Sequence, residues 1–373
     1  MNTARAQSPT TAPRPGPRDR LRRTLALALT AMVVTGCGIR LDSPAPLALV
    51  PDADEISRQA TVADVVAVQE AAEEALEGVE AGSASAVSLD QVVQFAELHI
   101  EALGGVYVSG LEESVDGTTT ATLAPDSGTP LDPDAANDAL ELDASPTEGP
   151  EAEEEPDEPA TAATVVDLLA QSSARARGSL STPVDGRLAR LYASIAVSQL
   201  ESARDLAGAS GTEFSVPESF TTSAPASLPG NLSTADLTTT VRSEDAAGYA
   251  LEVITAKLPA EARAGTAERA AVHREHAQAW AELAGFDGTP TDPRAVAYDL
   301  GSLGGDPPLS DSAAMITGAS DLEATLAVTY ATFTGTVEPE SRAPMLDLLA
   351  DAHRSARAWG APLVAFPGMP EQL

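Results

Sequence analysis

The sequence predicts an all-α fold, and three observations support it. Apolar residues recur at three- and four-residue spacing in eight separate stretches, the pattern of helices with one buried face. Aromatic residues make up only 3 % of the 373 positions, so the core must be built from Ala, Leu and Val, which suits close-packed helices. Gly104-Gly105, Pro259 and Gly285 punctuate the ends of three of these stretches.

In the N-terminal half, Thr61 with Asp64 reads as a capping box. Val62, Val65, Val68, Ala72, Leu76 and Val79 then continue a helix over 62–80. Ser88 with Gln91 opens a second helix, which carries Leu89, Val92, Ala96, His99 and Leu103 to the closing Gly104-Gly105. Residues 111–160 hold sixteen acids and no base, with repeated proline, which predicts a disordered acidic loop over about 106–160. Helical pattern resumes at 161–177 and 184–208, and a Ser/Thr/Pro-rich linker is predicted at 209–232.

Four more helices are expected at about 234–258, 260–284, 311–334 and 339–359. Their stripes run through Leu237, Val241, Leu251 and Ile254, then Val272, Trp280 and Leu283, then Leu322, Leu326, Tyr330 and Phe333, and finally Met345, Leu346, Leu349 and Trp359. The first and second are joined almost directly, as are the third and fourth, so each pair forms an antiparallel hairpin. About 26 residues separate the hairpins, enough to travel the ~35 Å length of such helices at 1.5 Å per residue. Short, long, short is the connectivity of a ferritin-like four-helix bundle with one long crossover.

The segments SEDAAGYALEVI, AERAAVHREHAQAWAELAG, PRAVAYDL, LEATLAVTYATF and DAHRSARAWG resemble a ferritin-like domain family of unknown function found in actinobacterial secreted proteins. The resemblance covers roughly 234–360 and implies a four-helix bundle, with no known reaction attached. The N-terminal helices repeat the short, long, short order. They are expected to form either a second bundle of that topology or two hairpins packed on the first.

The start of the chain carries a different message. Arg20, Arg22 and Arg23 precede an apolar run from Leu25 to Val34, and Val34-Thr35-Gly36-Cys37 ends it. A basic region, a short apolar core and small residues make a secretory signal. The ending on Cys37, the only cysteine, resembles the bacterial lipobox, in which the thiol is acylated and becomes the first residue of the mature chain. An ordinary signal with an incidental cysteine is the competing reading. The run is shorter than the ~20 residues of a membrane span. Paired arginines leave Sec and twin-arginine export both open. The expected organisation is a signal peptide at 1–36, a lipid-anchored tether at 37–57, a helical region at 58–208, a linker at 209–232, a ferritin-like domain at 233–360 and a tail at 361–373.

Charge narrows the partners. The formal net charge is −34, with a single lysine, Lys257; removing residues 1–36, with six arginines and Asp19, takes it to −39. Nucleic acid, which needs clustered Lys and Arg, is excluded as a partner, and so is a body lying flat on anionic lipid. Attachment then falls to acyl groups on Cys37, and the expected location is the extracytoplasmic face of the membrane. Abundant Ala and Arg with almost no Lys points to a high-GC Gram-positive source.

A ferritin-like bundle raises the question of metal, since iron or manganese in such bundles takes Glu from two helices and Glu-x-x-His pairs from the others. The candidate ligands are Glu244, His273, His276, Glu323 and His353. Ala270 and Ala350 stand where the two Glu-x-x-His motifs need their carboxylates. Asp347 and Asp351 would contribute only with the helix turned differently. Arg269, Arg274 and Arg354 lie close enough in sequence to pair with Glu244 or Glu323 and replace the metal by an ion pair. His99 reads as a satisfied core histidine. Tyr249, Trp280 and Trp359 are expected as core fillers or as the walls of a pocket for an apolar ligand.

No Gly-x-Ser-x-Gly elbow, Ser-x-x-Lys pair, P-loop or dinucleotide fingerprint occurs. The leading expectation is therefore a lipid-anchored, non-catalytic binding or scaffolding module of the cell envelope, with envelope proteins or a small ligand as partners. The alternative is a metal-binding redox or storage protein.

Overall fold

Among the described residues, eight α-helices and two short 3-10 turns make up all the regular structure, and no strand is present. The structure, a computed structural model, describes residues 51–106, 159–217, 220, 224–301 and 311–372. The chain divides after Val50 into two units, and all described residues belong to the second. The expected signal segment, Cys37 and nearly all of the acidic stretch lie outside them.

The helices are α1 (Ala53–Glu77), α2 (Ala84–Ala102), α3 (Ala162–Ser179), α4 (Gly186–Ser210), α5 (Thr234–Lys257), α6 (Arg263–Leu283), α7 (Ser312–Thr336) and α8 (Pro339–Ala358). Three expectations need correction. Helix α1 begins nine residues before the expected Val62, because the Asp52 carboxylate caps it by accepting from the Glu55 N–H at 2.8 Å. Thr61 therefore lies inside the helix, and its hydroxyl donates back to the Ser57 carbonyl at 3.1 Å. The final residues of the expected tether are helical. Ser83, not Ser88, caps α2, accepting from the Ala86 N–H at 3.1 Å.

The third correction concerns 361–372, expected as a tail. Leu363, Ala365, Phe366 and Met369 are buried. The segment's carbonyls are taken by the other half of the molecule: Ser194 Oγ donates to Pro367 at 2.8 Å and Arg190 to Gly368 at 3.0 Å. His99, itself buried, donates from Nε2 to the Ala365 carbonyl at 2.7 Å. It is a satisfied core histidine, kept neutral by burial with its pKa lowered to about 4. The segment after α4 also carries anchors, since Phe220 packs on the core with the Arg177 guanidinium 5.4 Å above its ring.

Helices α1 and α2 pair, as do α3 and α4, with α1 against α3 and α2 against α4. In the second half α5 pairs with α6 and α7 with α8, and α5 meets α7. Helix α4 also packs against α7 and α8, so it serves both halves. Every residue from Leu191 to Ala203 on it is buried, and one core cluster runs from Val62 through Tyr192 and Trp280 to Met369. Between α6 and α7 the crossover is pinned to α5, where the Tyr298 hydroxyl donates to Asp245 at 2.6 Å. No helix among the described residues is long and apolar enough to cross a membrane.

Backbone contact between Gly186 at the start of α4 and Gly335 at the end of α7 sets the approach of the two halves. A Cβ on Gly335 would come within 2.7 Å of the Gly186 carbonyl oxygen, which backbone cannot easily yield. Gly335→Ala is expected to destabilise by about 1–3 kcal/mol through this overlap. Gly208→Ala, on an exposed turn of α4 with open space around it, is expected to stabilise by about 0.5–1 kcal/mol. Thermal melts of the two variants should therefore move in opposite directions.

Candidate functional site

Helices α5 to α8 carry ionisable side chains into their shared interior at one level. Glu244 on α5, His273 on α6 and Glu323 on α7 are each 1 % exposed. Apolar layers bound them on either side. Ala250, Leu251, Ile254, Ala270, Met315 and Ala319 form one cluster, while Val241, Trp280, Leu326 and Tyr330 belong to the main core. Sequence spacing produces this layer, because Glu244, His273 and Glu323 occupy the same stripes as those apolar neighbours.

His273 bridges two carboxylates. Its Nδ1 lies 2.6 Å from Glu244 Oε2 and its Nε2 lies 3.1 Å from Glu323 Oε1. Glu323 is also gripped by Arg269, whose Nε and Nη2 donate to the two carboxylate oxygens at 2.6 and 2.7 Å. The third nitrogen of that guanidinium donates to Asp351 on α8, and Arg354 donates to the other Asp351 oxygen at 3.0 Å. On the far side Glu244 accepts from the Tyr330 hydroxyl, and His276 Nδ1 lies 3.6 Å from Glu244 Oε1.

The electrostatics follow from this geometry. Burial alone would push His273 towards its neutral form. Hydrogen bonds and charges from Glu244 and Glu323 override it and raise its pKa to about 9, so it is an imidazolium that donates from both nitrogens. Burial likewise works against the Glu244 carboxylate, yet His273 and His276 hold it well below the usual carboxylate range. Burial and the adjacent Glu244 charge raise Tyr330 well above an ordinary phenol, so it stays a donor.

Four of the five expected ligands thus come together, and His353 does not. It lies on α8 one turn before Arg357, whose guanidinium pairs with Glu201 at 3.0 Å and Asp205 at 2.6 Å on α4. Burial and the Arg357 charge lower its pKa to about 4. Asp347 also turns to the N-terminal half, where Arg177 holds it through two bonds of 2.9 and 2.8 Å. Arg274 pairs with Asp245 and Glu252 instead of the buried layer. Tyr330 was not singled out as a site residue from the sequence. Its place two helical turns beyond Glu323 was the available signal.

The arrangement does not fit a bound metal. Both nitrogens of His273 carry protons directed at carboxylates, and both oxygens of Glu323 are occupied by a guanidinium. A cation sits where a ligand set would need a vacant face. Among the described residues no group of three or more His, Cys, Asp or Glu is arranged to hold a metal ion.

Beside Arg269 the structure opens into a cavity of about 470 Å³, lined by Leu258, Thr266, Ile316, Ser355 and Trp359 as well as Arg269. Ile316 is exposed and Trp359 half-buried. Of the three large aromatics expected to fill the core or line a pocket, Trp280 is a wholly buried filler, Tyr249 packs on Tyr298, and Trp359 borders this cavity. A second cleft of about 510 Å³ lies among Arg58, Leu103, Arg190, Leu191 and Met369. Two of its three arginines brace structure, Arg58 on the Leu103 carbonyl and Arg190 on Gly368 and Glu371, while the third, Arg187, is exposed.

Residues 236–371 match the family described as a domain of unknown function, DUF4439. The match takes in α5 to α8, the buried ionic layer and the packed C-terminal segment. No curated protein and no solved structure matches the chain.

The ionic layer has two measurable consequences. Glu244→Gln leaves His273 with one charged partner and should cost about 3–5 kcal/mol, the range for breaking a buried pair; denaturant melts would show it. Folding raises the His273 pKa above its ordinary ~6.5, so its stabilisation is complete below that pH. That stabilisation is lost as pH rises through about 9. The His273 imidazole resonance should titrate near 9 in the native protein and move towards 6.5 in Glu244→Gln. Melting temperature should fall over the same alkaline window in the wild type, and less steeply in the variant.

Proposed function

We propose that the chain is an exported lipoprotein, held at the extracytoplasmic face of the membrane by acyl groups on Cys37. Its helical body acts there as a non-catalytic module that binds a small apolar ligand. The C-terminal part reads as a ferritin-like bundle of an actinobacterial envelope protein in which an ion network replaces the metal centre. The hairpin order short, long, short and the buried Glu–His–Glu layer support that assignment.

The cavity beside Trp359 carries the binding reading. Its volume, about 470 Å³, lies in the range of small-molecule sites. Leu258, Ile316 and Trp359 supply apolar wall, and Thr266, Ser355 and the edge of Arg269 supply a few polar groups to orient a ligand. The non-catalytic reading rests on the state of the buried layer. Its acids and bases are paired with one another, which leaves no nucleophile or general base facing the cavity.

The uncharged naphthalene probe N-phenyl-1-naphthylamine tests the cavity. It should bind saturably and quench Trp359, while emission from the buried Trp280 stays constant. Ile316→Asp should weaken binding at least about tenfold, equivalent to ~1.4 kcal/mol. An absence of saturable quenching would remove the support for a ligand site. The anchor has its own test. Cys37→Ser expressed in a lipoprotein-processing host should lose incorporation of labelled palmitate and leave the membrane fraction. Retention of both would show that Cys37 is not the acylated residue.

A further inference from the structure

We propose that the cleft between the end of α2, the start of α4 and the C-terminal segment binds a fatty acid. Arg187 and Arg190 take its carboxylate, and Glu371 is an internal competitor that the carboxylate displaces. The proposal depends neither on the lipoprotein reading nor on the cavity beside Trp359.

The cleft, about 510 Å³ in volume, is of the size that holds small molecules. Leu103, Leu188, Leu191 and Met369 supply its apolar wall. Three arginines, Arg58, Arg187 and Arg190, stand among them against two acids, Asp185 and Glu371. The lining is thus net positive inside a chain of net charge −34. Repulsion from distant acids is screened over a Debye length of ~8 Å at physiological salt. An anion in the cleft therefore meets chiefly these guanidinium groups.

The three cations differ in what they have to spare. Arg58 is spent on the Glu55 carboxylate and on the carbonyls of Leu103 and Gly105. Arg187 is exposed and forms no side-chain ion pair among the described residues. It lies in the first turn of α4, where the helix dipole disfavours a cation, so helix stability does not account for it. Arg190 meets Glu371 from Nη1 at 2.6 Å and from Nη2 at 3.4 Å. Its Nε is buried without a partner, so Glu371 leaves that guanidinium incompletely satisfied.

The C-terminal segment shows the kind of molecule the cleft accepts. Met369 buries an apolar chain in its wall, and two residues on a carboxylate sits on Arg190. A fatty acid carries the same two features in one molecule. A planar carboxylate also matches the guanidinium fork. Glu371 is free to leave, because its side chain is 49 % exposed and it belongs to a short turn, Pro370–Gln372. Exposed ion pairs of this kind contribute little. The Gly368 carbonyl, 3.0 Å from Arg190 Nη2, keeps the guanidinium in place once Glu371 has gone.

The test titrates the untagged full-length chain with decanoate, and with decanol as an uncharged probe of the same tail, by calorimetry. Decanoate should bind wild type saturably and at least about tenfold more tightly than decanol. Glu371→Gln should tighten decanoate about threefold by removing the competitor, and leave decanol unchanged. Arg187→Gln should weaken decanoate at least about threefold. Both side chains are exposed, so thermal melts of the two variants should match wild type. Ile316→Asp, in the wall of the other cavity, should leave decanoate binding unchanged. Equal affinity for decanoate and decanol would overturn the proposal. So would a Glu371→Gln variant that gains nothing, or an Arg187→Gln variant that loses nothing. Loss of decanoate binding in Ile316→Asp would place the ligand beside Trp359 and overturn it too. Absence of saturable decanoate binding in both wild type and Glu371→Gln would have the same result.

Discussion

The C-terminal helices are organised around three carboxylates that have been taken out of water. An isolated buried carboxylate costs several kcal/mol of hydration, so each must meet a cation within hydrogen-bond reach. Helix α6 provides both cations, and its Arg269–His273 spacing of one turn fits them to partners on α5, α7 and α8. This makes α6 the element to which the other three are registered. Sliding α7 by one residue would rotate Glu323 by about 100° off its stripe and leave it, Arg269 and His273 unpaired together. Apolar packing on either side is less directional, since it requires volume to be filled and not a particular donor to meet a particular acceptor. The layer adds little net stability over apolar side chains of the same volume. What it supplies is a large energy gap between the native register and its neighbours.

Helix α4 imposes the second constraint. It belongs in sequence to the N-terminal helices and packs chiefly on α3, yet it also packs on α7 and α8. From Leu191 to Ala203 it is buried on every face, so that stretch cannot carry a polar stripe. The small Ser194 and Ser198, both fully buried, let the neighbouring helices approach, and the helix's two acids, Glu201 and Asp205, are met by Arg357. The Gly186–Gly335 contact and the C-terminal segment over Ser194 close the same seam. The two halves are therefore joined through shared core and not through a detachable interface.

How much of this could be read from the sequence depends on the range of the interaction. Helix existence and length were legible because periodicity is local, and α3 to α8 begin within three residues of expectation. The starts of α1 and α2 were not, because the pattern of Ser or Thr followed three residues later by an acid or amide also occurs inside helices. Asp52 and Ser83 are distinguished only by their extended backbone. In the buried layer, Glu244 was legible from the stripe it shares with Leu237, Val241 and Leu251. His273 and His276, in contrast, were read as flanking the stripe of Val272, Trp280 and Leu283, and Glu323 as standing beside Leu322. The structure buries the histidines and Glu323 and leaves Val272, Leu283 and Leu322 half-buried. The assignment of His353 and Asp347 was not legible. Both lie on α8, and which face of α8 looks towards α6 and which towards α3 and α4 is decided by the docking of the two halves. No local pattern encodes that choice. Tyr330 illustrates the same limit, since an aromatic residue on an apolar stripe looks alike whether or not its hydroxyl ends on a carboxylate.

Charge balance also links the ionic layer to the cavity beside it. Glu244, Glu323 and Asp351 are matched one for one by His273, Arg269 and Arg354, so the region is close to neutral inside a chain of net charge −34. A cavity wall built from a guanidinium already shared between two carboxylates exerts little net attraction on an anion. Nor does it offer a cation a free carboxylate. Shape and apolar area from Leu258, Ile316 and Trp359 are left as the main source of affinity. Selectivity in the proposed site would then rest on volume, with Thr266, Ser355 and the remaining Arg269 N–H groups orienting the guest and not holding its charge. The self-pairing that leaves the layer without a reactive group is also what makes its neighbouring cavity suited to an uncharged ligand.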